Sequence, residues 1–232
     1  MSLTTRQQYY LQKMGVDVYV PKSGNDETAQ RDAQSAAAVV FDQAGNQKTW
    51  EDLKAQVAAC TKCELHKGRT QTVFGVGNVR AEWLIIGEAP GAEEDKQGEP
   101  FVGRAGKLLN SMLRAIGLQR EQVYIANILK CRPPNNRDPQ PEEVACCEGY
   151  LQQQIAMIKP KIILAVGRIA AQNLLKIDTP IGKMRGHRYE FPGSKIPVVV
   201  TYHPAYLLRS PREKRKSWQD LQMAMQVYHE LK

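Results

Sequence analysis

The sequence predicts an α/β fold, a three-layer α/β/α sandwich with a central four-stranded, mainly parallel sheet. Two observations lead there. Short apolar runs rich in β-branched residues occur at 83–86 (WLII), 123–128 (VYIANI), 162–166 (IILAV) and 196–200 (IPVVV). They are continuous rather than alternating, the pattern of strands covered on both faces. Amphipathic stretches at 104–116, 142–158, 168–176 and 213–231 lie between or after them, where a parallel sheet needs its crossover helices.

Taken in order, residues 3–13 (LTTRQQYYLQK) read as a short helix stopped near Gly15. Residues 21–48 are polar, Ala-rich and weakly periodic, as a linker is. Residues 1–48 are therefore expected to form an extension and 49–232 a domain. Thr49, with Asp52 three residues on and Leu53 and Val57 one turn apart, opens a capped helix that runs into Cys60. Pro197 is compatible with the last strand only near its start.

The 232 residues suffice for one domain with its own core. A composition of 42% apolar and 24% charged residues excludes a wholly disordered or collagen-like chain. No apolar run approaches the ~20 residues that span a bilayer, and the N-terminus lacks the pattern of a secretory signal. The expectation is a cytoplasmic protein with no membrane partner, in which five cysteines point to metal or redox chemistry rather than disulfides. The net charge of +8 permits a polyanionic partner without demanding one. Residues 1–59 hold six Lys/Arg and seven Asp/Glu, so the basic excess belongs to residues 60–232.

In an open parallel sheet, chemistry collects beyond the carboxyl ends of the strands. Those ends are followed here by Gly87-Glu88-Ala89-Pro90-Gly91, by Asn127 with Lys130-Cys131, by Gly167, and by His203-Pro204. Cys60-x-x-Cys63 ends a helix instead of following a strand, which argues against a redox dithiol. Together with Cys131 and the Cys146-Cys147 pair it can supply four thiolates to zinc or to an iron–sulfur cluster, and spacing does not choose between them.

Three segments carry a resemblance: GEAPGAEEDKQGEPFVGRAGKLL (87–109), NILKCRPPNNRDPQPEEVACC (127–147) and HPAYLLR (203–209). They closely resemble the family 4 uracil-DNA glycosylases, the iron–sulfur members of the uracil-DNA glycosylase superfamily, over roughly residues 60–232. The resemblance implies a [4Fe–4S] cluster held by Cys60, Cys63, Cys131 and Cys147, with Cys146 spare. It also implies an enzyme that flips uracil from DNA and hydrolyses its N-glycosidic bond, leaving an abasic site for base excision repair.

Breaking that bond leaves negative charge on the uracil, so hydrogen-bond donors in a closed site should assist. By resemblance, His203 is the donor to uracil O2. Asn127 reads O4 and N3–H, a pattern that cytosine inverts. Phe101 stacks on the base, and Glu88 and Ala89 line the pocket. Ala89 stands where family 1 enzymes carry a water-positioning aspartate, so that task passes to Glu88 or to main-chain groups. Glu94 is a candidate for the space beside uracil C5, where it would exclude a thymine methyl. Leu207 is expected to push into the base stack, and Arg209, Arg212 and Lys214 to contact DNA. Read by position alone, HPAYLLR is an extended turn rather than a helix, because a residue before proline avoids the helical region; His203 is there more often structural than functional, and Asn127 is as readily a loop cap as a functional residue.

The partner expected is uracil-containing DNA, single- or double-stranded, met by a monomer, with the N-terminal extension free to engage a replication or repair protein. Three alternatives stand beside this reading: a catalytically silent nucleic-acid-binding protein, a zinc protein, and a glycosylase that captures uracil covalently through a histidine on an Arg-rich loop. RPPNNRDP (132–139) occupies that last position here.

Overall fold

The computed structural model describes Val40–Phe41 and residues 47–231. The expected helix at 3–13 and most of the expected linker lie outside the described residues. The end of that linker is not irregular, because β1 (Val40–Phe41) and β2 (Gln47–Lys48) pair antiparallel.

Helix α1 (Trp50–Ala58) starts where the capping pattern places it. The Thr49 hydroxyl accepts the Asp52 amide at 3.1 Å, and the Asp52 carboxylate accepts the Thr49 amide at 3.0 Å. The reciprocal bonds satisfy two amides that the helix itself cannot.

Six strands form the main sheet, in the order β3-β5-β4-β6-β8-β7. The four predicted ones are its parallel centre: β4 (Trp83–Gly87), β5 (Tyr124–Asn127), β6 (Ile162–Val166) and β8 (Pro197–Thr201). Two short antiparallel edges, β3 (Val76–Gly77) and β7 (Arg188–Glu190), correct the expected count from four to six. Segments of two and three residues are too short to show a period. Pro197 is the first residue of its strand, where its missing N–H is tolerated.

Successive strand residues face opposite layers. Leu84, Ile86, Ala126, Ile163, Ala165 and Val200 join one core with Leu53 and Val57 of α1. To it α4 (Pro141–Ile158) adds Leu151 and Ile155, and α5 (Arg168–Leu175) adds Leu174. Trp83, Ile85, Ile125, Leu164 and Val199 join the other with Leu109 and Leu113 of α3 (Arg104–Ala115). Completing it are Leu221 and Val227 of a C-terminal helix over Lys214–His229. The three layers follow directly from continuous apolar strands: with both faces apolar, both must be covered. Short helices α2 (Ala92–Gln97), α6 (Ile181–Met184) and α7 (Pro204–Arg209) fill connections, so the C-terminal helix is α8. Among the described residues no helix is long and apolar enough to cross a membrane.

Candidate active site

The carboxyl ends of β4, β5 and β8 open on one pocket of about 450 Å³. Glu88, Ala89, Gly91, Glu94, Phe101, Asn127, His203 and Arg209 all line it, so every predicted base-contacting residue is gathered there. Its size lies in the range of small-molecule sites.

Asn127 closes β5 and is 2% exposed. Its Oδ1 is buried without a hydrogen-bond partner. Such an acceptor normally finds a donor inside a protein, and leaving it unmade costs about 1–3 kcal/mol. Gly87 makes room for it: a Cβ there would stand 2.5 Å from Asn127 Oδ1 and 2.6 Å from Phe101 Cζ. The glycine is required by close approach, not by a special backbone angle.

Phe101 takes a left-handed backbone, φ 54°, which a bulky residue holds only under constraint. Arg120 supplies it, donating from Nη1 to the Phe101 carbonyl at 3.3 Å and from Nη2 to the Pro100 carbonyl at 2.5 Å. Gly106 completes the fit, since a Cβ there would lie 1.8 Å from the Phe101 carbonyl oxygen. The Phe101 ring stacks with that of His203, centroids 5.5 Å apart. Arg120 escaped the sequence reading because nothing local marks a residue that acts on a carbonyl 19 positions away.

His203 has extended backbone and caps α7. Its Nδ1 accepts the Ala205 amide at 3.1 Å, which leaves the proton of the neutral ring on Nε2. Burial, helped by the Arg209 charge and opposed by Glu94, pushes its pKa down to about 4. The imidazole is therefore neutral near pH 7. The expected extended turn holds for His203 itself but not beyond it, because Pro204 starts a helix, as a proline at the first helical position does.

That helix overturns the expectation for Leu207. It is 1% exposed and packed in the core beside α3 and α8, one turn along α7 from buried Pro204. Leu207 is therefore unavailable to enter a base stack. Its neighbour Leu208 is the exposed leucine, at 36%. Arg209, Arg212 and Lys214 are exposed.

Glu88 lines the pocket with its carboxyl pushed up to about 7, by burial first, then by Asp138, with Arg168 opposing. Arg168 is itself paired to Asp138 at 2.7 Å. Glu94 faces the pocket too, but its oxygens are already engaged: Oε2 accepts the Gly91 amide at 3.1 Å, and Oε1 the Val102 and Gly103 amides at 3.0 and 3.2 Å. Its neighbour Asp95 is buried and accepts the Thr70 amide and hydroxyl.

A second cavity lies behind the loop that follows β5. Cys60, Cys63, Cys131, Cys146 and Cys147 all line it, and all five are free thiols. Arg69 Nη1 donates to Cys131 Sγ at 3.1 Å, and the Lys130 amide to Cys147 Sγ at 3.3 Å. Cys146 instead donates to the Lys62 carbonyl at 3.4 Å. Burial raises the pKa of Cys63, Cys131 and Cys147, the last to about 11. Among the described residues, no three His, Cys, Asp or Glu are grouped to hold a single metal ion.

Comparison with known proteins identifies the family. Residues 74–222 match the uracil DNA glycosylase superfamily. The type-4 uracil-DNA glycosylase of Archaeoglobus fulgidus is 52% identical over 70% of this chain and 84% of its own length. That of Thermotoga maritima is 48% identical over 69% and 83%. A type-5 enzyme of Pyrobaculum aerophilum is 30% identical over 56% and 64%. Buried Asn127, neutral His203 and stacked Phe101 thus stand in a chain that belongs to the uracil-DNA glycosylase superfamily, among its type-4 members.

Proposed function

We propose that this uracil-DNA glycosylase takes an extrahelical uracil into the pocket, and that Asn127, Phe101, His203 and Glu88 divide the work of breaking its N-glycosidic bond. The observation that carries the reading is the orphaned Oδ1 of Asn127. Uracil N3–H is the donor it lacks, and the amide Nδ2 then donates to uracil O4. Cytosine presents an acceptor and a donor in those places, leaving the buried amide mismatched twice.

The N1–C1′ bond breaks with its electron pair departing on uracil, and the sugar becomes electron-poor. Negative charge gathers on O2 and O4. His203, neutral and protonated at Nε2, donates to O2; Asn127 donates to O4. Both are fixed before the reaction, so little reorganisation is needed as charge develops. Phe101 supplies an aromatic wall. Glu88, as carboxylate, orients the water whose oxygen joins C1′ and takes up its proton. No lysine lines the pocket among the described residues, in keeping with hydrolysis rather than Schiff-base chemistry. Glu94 forms part of the wall with its carboxylate held by main chain, which suits a steric part against a C5 methyl.

Removing the base from a duplex costs a few kcal/mol. Arg209, Arg212 and Lys214 face the DNA backbone in this reading, and exposed Leu208 lies at the end of α7 that would meet the gap.

Cys60, Cys63, Cys131 and Cys147 would hold a [4Fe–4S] cluster. The support is chemical: four free thiols share one cavity, two of them already accepting N–H donors. The bound group would tie the end of α1 to the loop after β5 and to α4. Iron and acid-labile sulfide, with broad visible absorbance, are expected in the purified protein; a colourless protein containing zinc overturns the assignment.

The test of function is release of uracil from labelled single-stranded, U·G and U·A oligonucleotides. Abasic product is expected from wild type, with near-complete loss in Asn127→Ala and His203→Ala. No product from any of the substrates overturns the reading.

A further inference from the structure

A buried cation on the wall of the cysteine cavity reaches the main chain of the residue that closes β5. Lys130 is 1% exposed, inside the apolar layer that packs α4 on the sheet. Its Nζ donates to the main-chain carbonyl of Asn127 at 2.9 Å and to Gln154 Oε1 at 2.7 Å. Gln154, wholly buried on α4, is aimed in turn: its Nε2 donates to the Phe74 carbonyl at 2.9 Å and reaches the Tyr124 hydroxyl at 3.4 Å. The Lys130 main chain is anchored as well, through Val73 N to Lys130 O at 2.8 Å and Lys130 N to Cys147 Sγ at 3.3 Å.

An ammonium placed in an apolar layer opposes folding unless its hydrogen bonds compensate. A methionine would fill the same space without that burden, so packing gives no reason for a lysine here. What the lysine adds is a charge-assisted bond to the carbonyl of the residue whose carboxamide reads the base. Beyond Asn127 the chain leaves the sheet, with Ile128 N bonded to Gly87 O and Leu129 N to Glu88 O. Lys130 clamps this exit from below.

We propose that Lys130 is a positioning residue for base recognition: by holding the Asn127 carbonyl from inside the core, it sets where the Asn127 carboxamide stands in the pocket. This rests on the reading of Asn127 as the uracil-reading residue. Misplacing a reacting contact by about 1 Å costs about 10²-fold in rate, so removing the clamp is expected to slow chemistry without emptying the site.

The experiment is a kinetic cycle with full-length, iron-loaded protein: wild type, Lys130→Met, Asn127→Ala and the double variant. Single-turnover excision is measured on oligonucleotides carrying uracil or 5-fluorouracil. Lys130→Met is expected to lose about 10- to 100-fold on uracil, and several-fold less on 5-fluorouracil, whose better leaving group needs less help from Asn127. The double variant should be no slower than Asn127→Ala, because Lys130 acts through a group already removed. Iron content and Tm accompany each variant; a purely structural lysine would lower Tm and slow both substrates equally. Additive losses in the cycle, or equal losses on the two bases, overturn the proposal. If Lys130→Met does not fold, Gln154→Met takes its place, with a smaller loss expected and the same two outcomes overturning it. An Asn127→Ala enzyme as fast as wild type overturns the reading of Asn127 itself, an outcome distinct from failure of the Lys130 cycle.

Discussion

The base pocket and the cysteine cavity both depend on the end of β5 and the loop that follows it, with Asn127 lining one and Cys131 the other. The pocket is finished by protein alone. Glu94 is tied by three amides, Phe101 is held by Arg120, and His203 is fixed by the Ala205 amide. Asn127 Oδ1 is its buried acceptor left without a partner, and in this reading a substrate satisfies it. The cysteine cavity is the reverse. Arg69, the Lys130 amide and the Leu65 main chain donate to Cys131, Cys147 and Cys63, and burial raises the pKa of all three thiols. A positive centre would be needed to draw them into thiolates. The difference suggests a division: one region governs chemistry and selectivity, the other stability.

The sharpest way to break that division is at its two ends. His203→Ala is expected to reduce single-turnover excision by about 10²- to 10³-fold, the usual loss for one donor to a developing oxyanion. Tm by calorimetry should stay within ~2 °C of wild type, at ~2–4 °C per kcal/mol for a chain of this size. Cys131→Ser and Cys147→Ser should do the opposite: loss of bound iron and a fall in Tm on the order of 10 °C, while the ratio of uracil to cytosine excision by the folded fraction is unchanged. A cysteine variant with altered base preference would join the two regions into one.

Glu88→Gln is expected to cost about 10²-fold, the low end of general acid–base effects. Wild-type rate should rise with pH through about 7 as the carboxylate forms, and the variant should lack that limb. The same group has a stability signature. Its folded pKa is raised, so its contribution favours the folded state at low pH and is lost as pH rises through about 7; Glu88→Gln should flatten that slope in denaturant titrations. The two leucines of α7 give the finest comparison. Leu207→Ala should destabilise by about 2–5 kcal/mol, as buried leucines do. Leu208→Ala should leave stability unchanged and weaken duplex processing only a few-fold, read as KM on U·A against single-stranded substrate.

Much of this was legible before any coordinates. Continuous apolar runs announced the four central strands to within a residue or so, since a doubly covered strand needs no alternation. Thr49 and Asp52 marked a helix start because their reciprocal bonds are local. Asn127 and His203 fall together because strand ends in a parallel sheet converge, and Phe101 joins them from the connection before α3. What stayed hidden was held by distant or directional contacts. The Arg120 grip on Phe101 and the Lys130 clamp on Asn127 leave no periodic trace. Leu207 was misjudged because HPAYLLR was read as a turn; taken as helix, Pro204 and Leu207 share a face and Leu208 leaves it.

Gly87 carries a consequence for inhibition. The strand's own main chain backs onto two pocket residues here, with Asn127 Oδ1 and the Phe101 ring both inside the volume that any side chain would claim. A compound resting on Asn127 and Phe101 would press on atoms that no substitution at position 87 can reshape without dismantling uracil recognition as well. Escape by mutation is therefore barred behind these two residues, and resistance would have to arise elsewhere in the lining, around Arg209 and Asp138.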